Sequence, residues 1–260
     1  MFDEATRRIR RVRHIARLLT SARPPSPAVR LVRRVQGRSY VHVFHIKKTG
    51  GTAMRHALLS HRITPKYVVI LRFHDGVLAS VPKGDKIVFT VRDPLDRFVS
   101  GFYSRQRQGQ PKYFLPWSPD ERIAFEKFET PEQLALALSS DDADLRACAE
   151  HSMRTIGHVR SSYWDWFGDE AQVRDRWSDV LMVAHTKTLS ADFETLKDLL
   201  GLDKGIGLPE DDVQAHRTPS NLDKRLSPTA TDNLRAWYAG EYRFLELCRE
   251  LDVARRQAVS

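Results

Sequence analysis

At 260 residues the chain has room for one large domain or two small ones around a substantial core. Its composition, 41% hydrophobic and 29% charged, is that of an ordinary soluble protein, and no run approaches the roughly 18 apolar residues needed to cross a membrane. The net charge of +9 lies entirely in residues 1–38, where eleven arginines face only Asp3 and Glu4, while residues 39–260 balance. Within that arm Ile9, Val12, Ile15, Ala16 and Leu19 recur at helical spacing, which predicts an amphipathic basic helix. Residues 7–19 would suit an anionic membrane surface or an acidic polymer. A bland solubilising or docking extension is the alternative, and ARPPSP from Ala22 reads as a linker. No apolar segment follows the N-terminal charges, so no secretory signal is expected, and Asp3 and Glu4 argue against a mitochondrial presequence. Cys148 and Cys248 form no CxxC pair, and the expectation is reduced, buried thiols in a cytoplasmic protein.

Beyond the arm, short β-branched runs alternate with helical patterns. The run YVHVFHI predicts a strand over Tyr40–Ile46, followed by a helix from Thr52 to His61. KYVVIL (Lys66–Leu71) and DKIVFTV (Asp85–Val91) predict two more strands. Asp93 can cap a helix that opens at Pro94, with Leu95, Phe98, Val99 and Phe102 as its buried stripe and Ser100 off that stripe. Residues 106–119 break regular structure, and 120–150 are mostly helical. A strand follows over Asp179–His185, then a helix over Leu189–Leu200 ended by Gly201. A long irregular stretch, 203–226, precedes one closing helix. The aromatic run at Tyr163, Trp164, Trp166 and Phe167 reads as core, with a ligand-stacking platform as the alternative. Strand–helix alternation with apolar strands predicts an α/β three-layer sandwich, a central parallel sheet covered by helices. Ligands of such folds bind beyond the C-terminal strand ends.

Two segments fall at such ends. In HIKKTGGT, residues 45–52, two lysines and two glycines separate a strand from a helix. Glycines let backbone N–H groups approach a ligand, and a helix N-terminus favours an anion. The order differs from the G-x-x-x-x-G-K-[ST] loop of nucleoside triphosphatases, because the lysines precede the glycines. In VRDPLDRFVSGFYS, residues 91–104, Arg92 closes a strand and Ser100 lies on the next helix, a second potential anion site on the same sheet edge. The two segments, in this order, resemble the signatures of sulfotransferases dependent on 3′-phosphoadenosine 5′-phosphosulfate (PAPS), in particular the branch acting on carbohydrates. The resemblance covers about residues 40–250 and leaves the arm, residues 1–38, outside the catalytic domain, 39–260. Lys47 stands where the family usually has proline.

The resemblance implies a P-loop-like sulfotransferase fold and transfer of a sulfuryl group from PAPS to a carbohydrate or glycolipid hydroxyl, leaving 3′-phosphoadenosine 5′-phosphate (PAP), with no metal and no nucleic-acid partner. It implies that Lys48 stabilises the leaving group. Thr49, Gly50, Gly51, Thr52 and Ala53 would hold the 5′-phosphate, and Arg92 and Ser100 the 3′-phosphate. Arg217, Thr218 and Ser220 are candidates for closing over the phosphates from a lid. His74, after the second strand, is the expected general base, with His45 its rival and Asp75 a supporting partner. His56 and His61 read as surface residues. Two other readings compete: an ATP-dependent kinase-like phosphotransferase, and a non-catalytic binder of acidic polymer or membrane acting through the arm. A cytoplasmic enzyme, peripheral at the inner face of the membrane if the arm engages lipid, is the expected location. The acceptor's identity and the oligomeric state are not readable from the residues.

Overall fold

The structure is a computed structural model and describes residues 37–74, 76–211 and 222–258. The arm's expected helix therefore lies outside the described residues, as do Asp75, Arg217, Thr218 and Ser220. Four strands, β1 (Ser39–Val43), β2 (Tyr67–Leu71), β3 (Lys86–Val91) and β4 (Val180–His185), form one all-parallel sheet in the order β2-β1-β3-β4. Helices flank it: α1 (Gly51–Leu58), α2 (Pro94–Gln106), α3 (Pro119–Lys127), α4 (Pro131–Ala137), α5 (Ala143–Thr155), α6 (Trp164–Phe167), α7 (Glu170–Asp175), α8 (Leu189–Leu200), α9 (Pro228–Trp237) and α10 (Ala239–Gln257).

Alternation along the central strands explains the layers. Val41, Val43 and Val88 point to one face, where they pack with Met54 and Leu58 of α1 and Phe193, Leu196 and Leu200 of α8. Ile87, Phe89 and Val91 point to the other, against Tyr163, Trp166, Phe167, Phe244 and Leu247. Both faces are covered, which is why these strands read as nearly continuous apolar runs. The aromatic run at 163–167 is core, as expected: Tyr163, Trp166 and Phe167 are buried and Trp164 half-buried. A third cluster joins Phe98 and Phe102 of α2 to Phe125, Leu134, Met153 and Leu234 in a helical block beside the sheet.

Several boundaries differ from the sequence reading. The first strand ends at Val43 rather than Ile46: Phe44 and Ile46 are buried, and Phe44 N–H still reaches the carbonyl of Val88 at 2.9 Å, but the chain is already turning. The next helix spans Gly51–Leu58, not Thr52–His61. Residues 119–155 hold three helices, each opened by its own side-chain cap, Ser118, Thr130 or Asp142. The closing helix is two, broken at Tyr238, which ends α9 and begins α10. Asp93 caps α2 as expected, its carboxylate accepting from the N–H groups of Leu95 and Asp96. Gly201 ends α8 in the left-handed conformation.

Candidate active site

The C-terminal ends of β1, β3 and β4 open onto one cleft of about 800 Å³. From β1 comes the turn 45–50. Lys48 has φ +64°, a left-handed conformation uncommon for a residue with a side chain, and Gly50 follows at φ +88°. Gly51 is required by closeness: a Cβ there would lie 2.4 Å from His45 Cδ2. Gly50 is the N-cap of α1 and brings no side chain; the Ala53 N–H donates to the Gly50 carbonyl at 3.0 Å, and Gly51 and Thr52 line the cleft ahead of it. Thr49 is fully buried and its hydroxyl donates inward to the carbonyl of Ile46 at 3.1 Å, while Thr52 lines the cleft.

The other two tips are tied to this turn. Arg92 Nη1 donates to the carbonyl of Lys48 at 3.3 Å. The backbone of Arg92 is fixed in turn by the buried Tyr163 hydroxyl, which accepts from its N–H at 2.8 Å and donates to its carbonyl at 2.9 Å. From β4, Thr186 Oγ1 lies within donating distance of the carbonyls of Thr49 (3.0 Å) and Val91 (3.1 Å). Ser100, one and a half turns into α2, is buried but lines the cleft.

The cleft is cationic. Lys47, Lys48, Arg92, Lys112, Lys187 and Lys224 line it, and no Asp or Glu does among the described residues. Burial, with Arg92 and then Arg107 nearby, pushes the Lys48 ammonium down to about 7. Burial also lowers Lys47, with Arg160 adding to the effect, and Arg92 is lowered chiefly by burial.

His74 enters from the loop after β2. Its Nδ1 lies 2.9 Å from the carbonyl of His45, an acceptor, so the proton sits on Nδ1 and the lone pair on Nε2. Trp166 Nε1 donates to the carbonyl of His74 at 3.0 Å, and the ring packs on His45 with centroids 4.2 Å apart. His45 itself is wedged under the turn, its Nε2 3.4 Å from Thr52 Oγ1.

Of the residues singled out in the sequence, Lys48, Gly50, Gly51, Thr52, Ala53, His74, Arg92, Ser100 and His45 meet at this cleft. His56 and His61 are exposed. Missed were His158, Lys112, Tyr113 and the turn Thr186–Ala191. The last was detectable, because the rule that ligands sit at strand ends applies to β4 as it does to β1 and β3. Among the described residues no group of three or more His, Cys, Asp or Glu is arranged to hold a metal ion, and no helix is long and apolar enough to cross a membrane.

No family model matches the chain, and no curated protein does.

Proposed function

We propose that this chain is a PAPS-dependent sulfotransferase with a P-loop-like sulfotransferase fold, acting on a hydroxyl of a carbohydrate or glycolipid. One observation carries the reading: the Arg92 side chain bonds the carbonyl of Lys48, so the two anion-suited strand tips wall one cationic cleft. Fit is supported by the glycine cradle at 50–51, the uncapped first turn of α1, and a half-buried Lys48 with no carboxylate partner among the described residues. Bound there, PAPS would supply the sulfuryl group: its S–O bond to phosphate breaks, the electron pair leaves on the phosphate oxygen, and a new S–O bond forms to the acceptor.

The residues divide the remaining work. Lys48 and the amides of Gly51 and Thr52 hold the 5′-phosphate and the charge that builds on it, while the Ala53 amide is taken by the Gly50 carbonyl. Arg92, whose planar fork suits a phosphate, and Ser100 hold the 3′-phosphate. His74 Nε2, carrying the lone pair, takes the acceptor's proton, while the His45 carbonyl fixes its tautomer. Thr49 contributes backbone only, since its hydroxyl is spent on Ile46. A cytoplasmic location, with the arm at a membrane surface, fits this reading.

Thermal shift tests it. PAP without magnesium should raise the melting temperature, and ATP should do so little, because ATP has no 3′-phosphate for Arg92 and Ser100. Stabilisation by ATP with magnesium and not by PAP would favour a phosphotransferase and defeat the proposal. A mass-spectrometric screen of glycans with PAPS, reading the mass gained on sulfation, then identifies the acceptor.

A further inference from the structure

His158 is among the cleft residues that the proposed chemistry leaves without a task. It lies in the turn after α5, and its approach is set by Gly101, next to Ser100 on α2. A Cβ at position 101 would lie 3.2 Å from the carbonyl carbon, the Cβ and the carbonyl oxygen of His158. Helix and turn thus close to a separation that a side chain at 101 would obstruct. The ring reaches the cleft wall with Nδ1 buried and without a hydrogen-bond partner among the described residues. Burial, then the charges of Lys48 and Lys47, hold the imidazole well below its ordinary value, so it is neutral and carries one proton. A buried N–H without an acceptor is costly, which puts the proton on Nε2, the nitrogen that the cleft can reach.

Lys47 stands close by. Its ammonium has three protons, and one goes to Ser161 Oγ at 3.3 Å, a hydroxyl that itself donates to the carbonyl of Gly157. Lys47, Lys48 and His158 line the same cleft, and the charges of both lysines act on the imidazole: two cations and one neutral donor.

We propose that His158 Nε2 and Lys47 Nζ donate hydrogen bonds to the sulfuryl oxygens of the bound donor. The inference rests on the sulfotransferase reading. Its logic is that charge builds on the departing phosphate rather than on the group in flight. A neutral imidazole can orient that group without holding it back, while Lys48 meets the growing charge.

PAP and PAPS differ by the sulfuryl group, so calorimetric affinities of the full chain for the two isolate this contact. His158→Phe should weaken PAPS by about tenfold, the loss of one to two hydrogen bonds, and change PAP by less than about twofold. His158→Gln, which returns an N–H near the Nε2 position, should recover most of the loss, a rescue that a purely packing role would not show. Lys47→Ala should show the same selectivity for PAPS, and it carries the comparison alone should His158→Phe fail to fold. Equal losses for both nucleotides, or no loss for either, would overturn the inference while leaving the sulfotransferase reading intact. A wild-type chain that binds neither nucleotide would defeat both.

Discussion

Cationic side chains are handled in opposite ways in the buried support and at the half-buried cleft. Behind the sheet edge, Arg97, Arg105 and Arg176 are all buried, and each faces a carboxylate: Glu241, Glu121 and Asp179. Arg105 holds both oxygens of Glu121 at 2.6 Å and also donates to the carbonyls of Leu115 and Pro116, pinning the loop 107–118 to α3. Burial alone would raise Glu121, but bonds from Arg105, Ser118 and Gly157 bring it below the ordinary carboxylate value. Arg97 reaches Glu241 and the carbonyl of Ser161 and lies 4.3 Å over the Tyr163 ring, which in turn fixes Arg92. At the cleft Lys47, Lys48 and Arg92 have no ion-pair partner among the described residues. The same chain that neutralises three interior arginines leaves these cations unmatched, which is what a site for an anionic ligand requires.

The largest effect is expected in the support. Arg105→Leu strands the Glu121 carboxylate and should cost about 3–5 kcal/mol in denaturant unfolding, whereas Arg105→Leu with Glu121→Leu should cost clearly less. A double variant as unstable as the single one would mean that the pair itself, not the stranded charge, carries the stability. Next comes His74→Ala, expected to lower turnover by about 10²–10⁴ while leaving PAP affinity unchanged in calorimetry. An intact rate would move the base to His45. The contrast sharpens at Lys48. Removing a cation that the protein does not pair should stabilise the ligand-free chain, so Lys48→Met should raise stability by about 1 kcal/mol and abolish stabilisation by PAP. A destabilised Lys48→Met would show that the ammonium is matched after all.

How much of this was legible depends on the range of the interaction. The caps at Asp93 and Gly201 and the strands at 67–71 and 86–91 are local chemistry, and the residues state them. The end of β1 was not legible: Phe44 and Ile46 are as apolar as a strand needs, but hydrophobicity reports burial rather than ladder pairing. The break at Tyr238 was hidden for a related reason. Leu234 packs in the helical block and Phe244 against the sheet, so an uninterrupted apolar pattern serves two cores. Of the two histidines in YVHVFHI, His42 is buried 3.0 Å from Asp85 and His45 lines the cleft, and nothing in the run separates the roles. His158 was missed because its place depends on Gly101, distant in sequence, which becomes a neighbour only once the helical block has packed.

The smallest expected effect is a pH dependence, and it separates the two regions by pH window. The Lys48 ammonium sits near 7 in the folded protein against an ordinary value of 10.5. Below pH 7 both folded and unfolded chains carry this proton, and above 10.5 neither does. Between these limits the unfolded chain holds more protons, so the Lys48 contribution makes the ligand-free protein more stable as pH rises. Glu121 has the same sign in a different window, since its folded-state value is also lowered and its stabilising ionisation is lost only on acidification below the carboxylate range. An anion paired with Lys48 draws the proton back. Above about pH 7, the Lys48 contribution should therefore make PAP affinity fall by at most about tenfold per unit. Calorimetry at pH 8 in buffers of different ionisation enthalpy should register proton uptake on binding. That uptake should be absent at pH 6, where the ammonium is already formed. Uptake of equal size at both pH values would place the titrating group elsewhere and remove Lys48 from the contact with the anion.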